Sequence, residues 1–403
     1  MPQSLLCMCP NNVATCEACA QRAREQSTAF AGQHPQATPG QLLEQAIQEN
    51  RAEVVLGILQ NTDIDINQRC DPQRYGSVSP LMTALSAGNA SMVAMIARQP
   101  GFDLAKSLPE YERWSWARSA ALEVLQQYLA IPGSDVNQTD GNGKTLLHEV
   151  VYDLGSQDKL RELLSRPGIL VDAQEADGTS PLYRAGLVDN AGAFRQLLEH
   201  HADINNRNND NRWTILICAV AYDHIAIAEQ ALRRPEIDIN AADDIQDSAL
   251  HVAADRGLAR MVELLLRRPE IQINLRNHMG WTPLSKAAFA GHVEVVRLLL
   301  ARPELEVNFV DQDRQTPLFH AASTGNLETV RLLLADPRTN TAISNRPARL
   351  TAGDMATALG FTAIAELIGQ HPRDIDKLSP RDAYVERDVR EPAPAAPVCP
   401  PRK

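Results

Sequence analysis

At 403 residues the chain is long enough for two or three ordinary domains or for one long array of repeats. Hydrophobic residues make up 44% and aromatics only 4%, so a core has to be filled by Leu, Ile, Val and Ala, as closely packed helices would do. The formal net charge of -11 argues against nucleic acid or an anionic membrane surface as the main partner while leaving room for a local basic patch, and no run approaches the about 18 apolar residues of a transmembrane segment.

Residues 1–37 match nothing downstream. Their start, MPQSLLCMCP, has no basic segment and no long apolar run, so it does not read as a standard secretory signal. Cys7, Cys9, Cys16 and Cys19 crowd this Cys-containing N-terminal arm. Four thiolates this close can hold one zinc ion tetrahedrally. The spacing is less specific than paired C-x-x-C units, so two other readings stay open: free thiols on a flexible arm, and acylation of Cys7 or Cys9 beside Leu5 and Leu6. The seven cysteines of the chain are odd in number and scattered, which is no disulfide framework and fits a reducing compartment. A short helix is expected through CEACAQRAREQS.

From residue 38 one pattern keeps returning. QDSALHVAADRGLARMVELLL, GWTPLSKAAFAGHVEVVRLLL and RQTPLFHAASTGNLETVRLLL align Ser248, Thr282 and Thr316 at steps of 34. In chain order, the first unit joins through Glu53-Val54-Val55, with Leu43 and Ala46 ahead of it, and Ser79 opens the second. The third is degenerate: ERWSWA stands where a first helix belongs, and ALEVLQQYLAIPG follows as the second. There Ala117 shares a column with Ala253, Ala287 and Ala321, which puts Trp114 in the buried leucine column and Trp116 in a surface column. Thr145, Ser180, Thr214, Ser248, Thr282, Thr316 and Thr351 open the remaining units, giving ten helix pairs over residues 38–371.

Each unit carries its own start and stop signals. A Thr or Ser caps the free N–H groups of the first helix, and a following Pro suits the first turn. A Gly-His or Gly-Asn step then turns the chain back into a second helix with a Val-Val-x-Leu-Leu-Leu stripe. That helix stops at Arg234-Pro235, Arg268-Pro269, Arg302-Pro303 or Asp336-Pro337, because the residue before Pro resists helical angles. Asn240, Asn274 and Asn308 suit the turns that lead onward.

Thr282-Pro283-Leu284, Ala287-Ala288, Gly291-His292, Val295-Val296 and Leu298-Leu299-Leu300 resemble the ankyrin-repeat family, and the resemblance extends over about four-fifths of the chain. It implies an all-α solenoid of about ten stacked helix-turn-helix units with short β-turn connections. His148 and His251 fall in the family's histidine column, where the side chain is expected to bond the neighbouring turn. The loop after the second helix departs from the family, reading Arg-Pro-Glu-Ile or similar in place of Gly-Ala.

In this family the turn tips and first helices line a concave face where partners dock. The column just before the capping residue reads Lys144, Thr179, Trp213, Asp247, Trp281, Gln315. A second column reads Glu149, Arg184, Cys218, Val252, Lys286, His320, and Tyr222 and Phe289 follow along the helix. Trp213, Trp281, Lys286, Phe289, Tyr222, Arg184 and Trp116 are therefore the candidate partner-binding residues, aromatics being common interface anchors. The competing reading is that Trp213 and Trp281 pack on neighbouring turns and only stabilise the stack.

Residues 372–403 are charged and then Pro-rich, ending EPAPAAPVCPPRK, and are expected to be a disordered tail. No G-x-x-x-x-G-K-[ST], H-E-x-x-H or G-x-S-x-G motif occurs, and His200 and His201 sit where a solvated turn belongs, so no catalytic residue is assigned. The expected function is a monomeric scaffold or adaptor that binds another protein, needs no cofactor and works in the cytoplasm. The alternatives are a zinc-binding or acylated N-terminal regulatory arm targeted by the array, in a cytoplasmic protein or in a bacterial effector secreted into a host cell, and an unrecognised transferase.

Overall fold

The computed structural model describes residues 17–67, 78–108, 113–155 and 157–371, with side chains from residue 20 onward. Two compact units divide between Asp238 and Ile239. All regular structure among the described residues is helical, and the only ladder contacts are isolated antiparallel bridges that close turns, such as Ala242 with Ser248.

The first unit begins with α1 (Glu17–Gln33), longer than the sequence pattern implies. It packs along α3 (Ala52–Asn61), which pairs with α2 (Pro39–Gln48). Ala23, Ser27 and Phe30 recur at helical spacing and are buried in that contact. Gly57 on α3 allows it, since a Cβ there would lie 2.2 Å from the Ala23 carbonyl oxygen. The helix pairs that follow are α4 (Pro80–Ser86) with α5 (Ala90–Ala97), and, after the single turn α6 (Leu104–Ser107), α7 (Leu122–Leu129) without a first-helix partner. Then come α8 (Leu146–Val150) with α9 (Gln157–Leu164), α10 (Pro181–Leu187) with α11 (Ala191–Glu199), and α12 (Ile215–Ala221) with α13 (Ile225–Leu232).

The degenerate third repeat has lost its first helix: residues 113–119 run through successive turns. Trp114 and Trp116 are 1% and 2% exposed, and their rings lie 5.7 Å and 5.3 Å from that of Tyr128. This corrects the assignment of Trp116 to a surface column. Residues two apart on a helix point to opposite sides, so both indoles reach Tyr128 only because the chain leaves the helix. The turn carbonyls that a helix would have satisfied are taken up by Lys159 of α9. Its buried ammonium donates to Ala117, Arg118 and Ala120 at 2.9, 3.1 and 2.8 Å and pairs with Asp153 at 2.8 Å.

The second unit repeats the same pairing more regularly: α14 (Ala249–Asp255) with α15 (Ala259–Leu266), α16 (Pro283–Ala290) with α17 (Val293–Leu300), α18 (Pro317–Ser323) with α19 (Leu327–Ala335), and α20 (Ala352–Ala358) with α21 (Thr362–Gly369). First helices stack on first helices and second on second. Leu284, Ala287, Val295, Val296 and Leu299 are fully buried between them. The step between the paired helices needs a left-handed residue. Gly257 supplies it at φ 70°, and a Cβ there would also meet the His292 ring; Asp189 and Asp223 hold the same place at φ 56°.

Between consecutive repeats an asparagine side chain bonds from one loop to the next. The Asn274 amide donates to Glu304 O at 2.8 Å, and its oxygen accepts from Glu306 N at 2.9 Å. Asn240 clamps Glu270 and Gln272 the same way, and Asn308 clamps Arg338 and Asn340. Asn67, Asn137 and Asn205 repeat the device in the first unit. Asp172 keeps only the acceptor half, receiving Asp203 N at 2.9 Å. Losing both bonds at one joint should therefore weaken that joint by about 1–2 kcal/mol. In urea unfolding, Asn274→Ala should lose stability by that amount and Asn274→Asp by less. Equal losses in the two variants would show that the acceptor half, which Asp retains, contributes nothing and that the donor half carries the joint.

Candidate functional site

The turn before α16 fixes Trp281 from both sides. Its N–H donates to Asn277 Oδ1 at 3.0 Å, and its carbonyl accepts from His251 Nε2, one repeat earlier, at 3.1 Å. The half-buried indole is thereby held 5.1 Å from the Phe289 ring and 4.3 Å from that of His320. Phe289 is 44% exposed, whereas His320 is buried. Beneath the pair lies a polar floor. His320 Nε2 stands 3.1 Å from Asp311 Oδ2. Lys286 Nζ lies 2.5 Å from Asp247 Oδ2, and the Asn277 amide donates to the other oxygen of Asp247 at 2.8 Å. Two more apolar side chains, Ile245 and Met279, stand exposed at successive turn tips. His278 N donates to Ile245 O at 2.9 Å, which ties one tip to the next.

The remaining candidates separate from this cluster. Trp213, Tyr222 and Arg184 belong to the unit that ends at Asp238. Trp213 is half-buried and its N–H donates to Asn208 Oδ1 at 2.8 Å. Tyr222 is exposed and stacks on His224 with ring centres 5.8 Å apart. Arg184 is mostly buried and pairs with Glu175 at 2.8 Å. Trp116 is core, as described above. The column of Glu149, Arg184, Cys218, Val252, Lys286 and His320 lies deeper than a docking column would: Glu149, Cys218 and His320 are all buried. Burial pushes the Cys218 thiol up to about 11, so it stays protonated and unreactive.

Cys7, Cys9 and Cys16 fall outside the described residues, as does the side chain of Cys19. Among the described residues no three His, Cys, Asp or Glu side chains gather as a metal site would, and no helix is long and apolar enough to cross a membrane. Sequence reasoning missed Tyr152, around which Arg118, Lys144 and Arg184 gather. The signal was there: Tyr152 is seven residues after Thr145, as Phe289 is seven after Thr282.

The two column histidines are structural. Thr145 N donates to His148 Nδ1 at 3.1 Å, which leaves Nε2 to donate to Thr179 O of the next turn at 3.1 Å. His251 repeats this with Ser248 N and Trp281 O. Burial is the main cause that holds His148 down to about 4, and it lowers His251 in the same direction.

A family model described as ankyrin repeats (3 copies) matches residues 115–208, 153–243, 187–277 and 250–345, which together take in more than half of the chain. The nuclear factor NF-kappa-B p105 subunit of Gallus gallus is 23% identical over 142 residues, 34% of this chain and 14% of that protein. Neurogenic locus notch homolog protein 1 of Mus musculus is 31% identical over 133 residues, 32% of this chain and 5% of that protein. Neurogenic locus notch homolog protein 2 of Homo sapiens is 33% identical over 118 residues, again 5% of its length. The chain thus spans a small part of each of these relatives.

Because His148 titrates near 6.5 when unfolded and about 4 when folded, unfolding takes up a proton between those values. Its contribution to stability is complete above pH 6.5, falls as the pH is lowered through that window, and is gone below 4. The full swing is about 3 kcal/mol. Urea unfolding followed from pH 7 to pH 4 should show this decline, and His148→Gln should flatten it while costing stability at pH 7. An unchanged pH slope in that variant rules His148 out as its source.

Proposed function

We propose that this chain, which belongs to the ankyrin-repeat family, is a scaffold or adaptor that docks a partner protein on its turn tips and first helices. Ankyrin repeats are generally protein–protein interaction domains. The observation that carries the reading here is the Trp281–Phe289 pair, partly exposed and held from beneath. An aromatic surface that is already rigid loses little conformational freedom on binding, which is how a few residues come to dominate an interface. Ile245 and Met279 widen the apolar patch, and Trp213, Tyr222 and Arg184 are candidate contacts in the first unit.

Binding is favoured over catalysis by how the titratable groups are used. Lys286 and His320, the two titratable members of the second column in this unit, face Asp247 and Asp311 rather than open solvent. They shape the floor of a docking surface. A monomer acting in a reducing, cytoplasmic setting suits this role, since Cys218 is a buried free thiol.

Replacing both anchors, Trp281→Ala with Phe289→Ala, should leave the helical circular dichroism unchanged. It should weaken a partner identified by affinity purification and mass spectrometry by at least about 2 kcal/mol. Undiminished binding by a folded double variant would place the interface elsewhere.

A further inference from the structure

A second site stands in the first unit, around Tyr152. Three consecutive repeats each send one cation to its ring: the Arg118 guanidinium at 4.2 Å from the ring centre, the Lys144 ammonium at 5.5 Å and the Arg184 guanidinium at 5.6 Å. Arg184 is neutralised locally, by Glu175 at 2.8 Å with Asp177 at 3.8 Å. Arg118 and Lys144 are not matched one for one. They share a single carboxylate, Glu149, each holding one of its oxygens at 3.0 Å. Glu149 is 5% exposed, while Arg118 is 52% and Lys144 23% exposed. Glu149 therefore lies underneath, and Arg118 and Lys144 lie outside it, two cations to one carboxylate at this point, while Arg184 faces the two carboxylates Glu175 and Asp177.

We propose that Arg118 and Lys144, stacked and held at Tyr152, form a docking point for a carboxylate side chain in an acidic segment of the partner protein. Arg118 lies against the ring face and is anchored to Glu149 through one Nη, so the rest of its planar fork is open to a second carboxylate. Lys144, anchored the same way through one bond, adds a point charge alongside. Two cations sharing one carboxylate at this point can take one further carboxylate. Phosphodiester chains and anionic bilayers bring many charges at once, more than this one point can pair. The cations are also fixed before the ligand arrives, because Glu149 and Tyr152 already hold them, which lowers the ordering cost of binding.

The proposal rests on the reading that the array binds a protein, but it uses none of the aromatic anchors of the second unit. The test is fluorescence anisotropy on the full chain at low salt. The probes are a labelled peptide of about a dozen alternating Glu and Gly residues and its Gln counterpart. The Glu peptide should bind, the Gln peptide should not, and added salt should release it. Arg118→Gln with Lys144→Gln should weaken it about tenfold, the loss of roughly one charge-assisted contact. Glu149→Gln should tighten it, since it removes the internal competitor, an effect a purely structural role would not produce. Arg118 is half-exposed, so its own variant keeps the test sound if Glu149→Gln fails to fold. Trp281→Ala with Phe289→Ala should leave peptide binding unchanged, so failure of the aromatic reading and failure of this one are told apart. Equal binding of the Glu and Gln peptides overturns the proposal, as does an unaffected Arg118/Lys144 variant. So does inorganic phosphate, or a phosphatidylserine vesicle, that displaces the Glu peptide at equal charge concentration.

Discussion

The turn side of the array depends on the asparagine amide that joins one repeat to the next. A loop that is neither helix nor sheet leaves backbone N–H and C=O groups without partners, and such groups have to be satisfied. An asparagine offers one donor and one acceptor side by side, which is what two backbone groups of the following loop require. Asn274 meets both Glu304 O and Glu306 N. Repeated at Asn240 and Asn308, the contact sets the register of each repeat on its neighbour. Everything on the turn side inherits that register: the capping Thr or Ser, the histidine that reaches the next turn, and the residue in front of the cap. Trp281 is presented where it is because His251 and Asn277 hold its backbone, and those two are placed by the same stacking.

The helices were the most legible part of the chain. Capping residues, Pro at the first turn and a 34-residue step describe almost every helix pair, because these signals are local and each repeat carries its own copy. Legibility failed where a contact crosses between repeats. Nothing near ERWSWA announces that Lys159, far along the chain, will satisfy its carbonyls, so the local pattern alone puts Trp116 on the wrong side. The full length of the N-terminal helix is not legible locally because its burial depends on Gly57 of the first repeat. For the site, columns identified Trp281 and Phe289, but they could not show that Lys286 would be pulled down onto Asp247. Tyr152 shares the Phe289 column, but the cations that gather round it come from three different repeats and no local signal announces them.

Both surfaces follow one building rule. Charged and polar side chains are buried beneath, where each faces a polar or charged partner, and a few aromatics are kept above. At Trp281 the floor is Lys286–Asp247 with His320–Asp311. At Tyr152 it is Glu149 and the Arg184–Glu175 pair. Buried pairs of this kind contribute little net stability once desolvation is counted, but they fix geometry. The aromatic rings above them are thus positioned by electrostatics and available for shape recognition. The two sites differ in what faces outward, apolar carbon at one and cationic nitrogen at the other, so a partner that engages both has to carry two chemically distinct elements.

Lys159 also has a consequence for how the chain comes to be made. Its ammonium closes the third repeat from 39 residues downstream of Ala120. A ribosome adding about 5–20 residues per second needs roughly 2–8 s to deliver it. During that interval Trp114, Trp116 and Tyr128 are already synthesised, yet the turn that buries the two indoles still lacks the group that satisfies its carbonyls. The nascent chain therefore passes through a stage in which its most aromatic core is waiting for a lysine, and a holding chaperone that favours exposed indoles would find its clearest opportunity there.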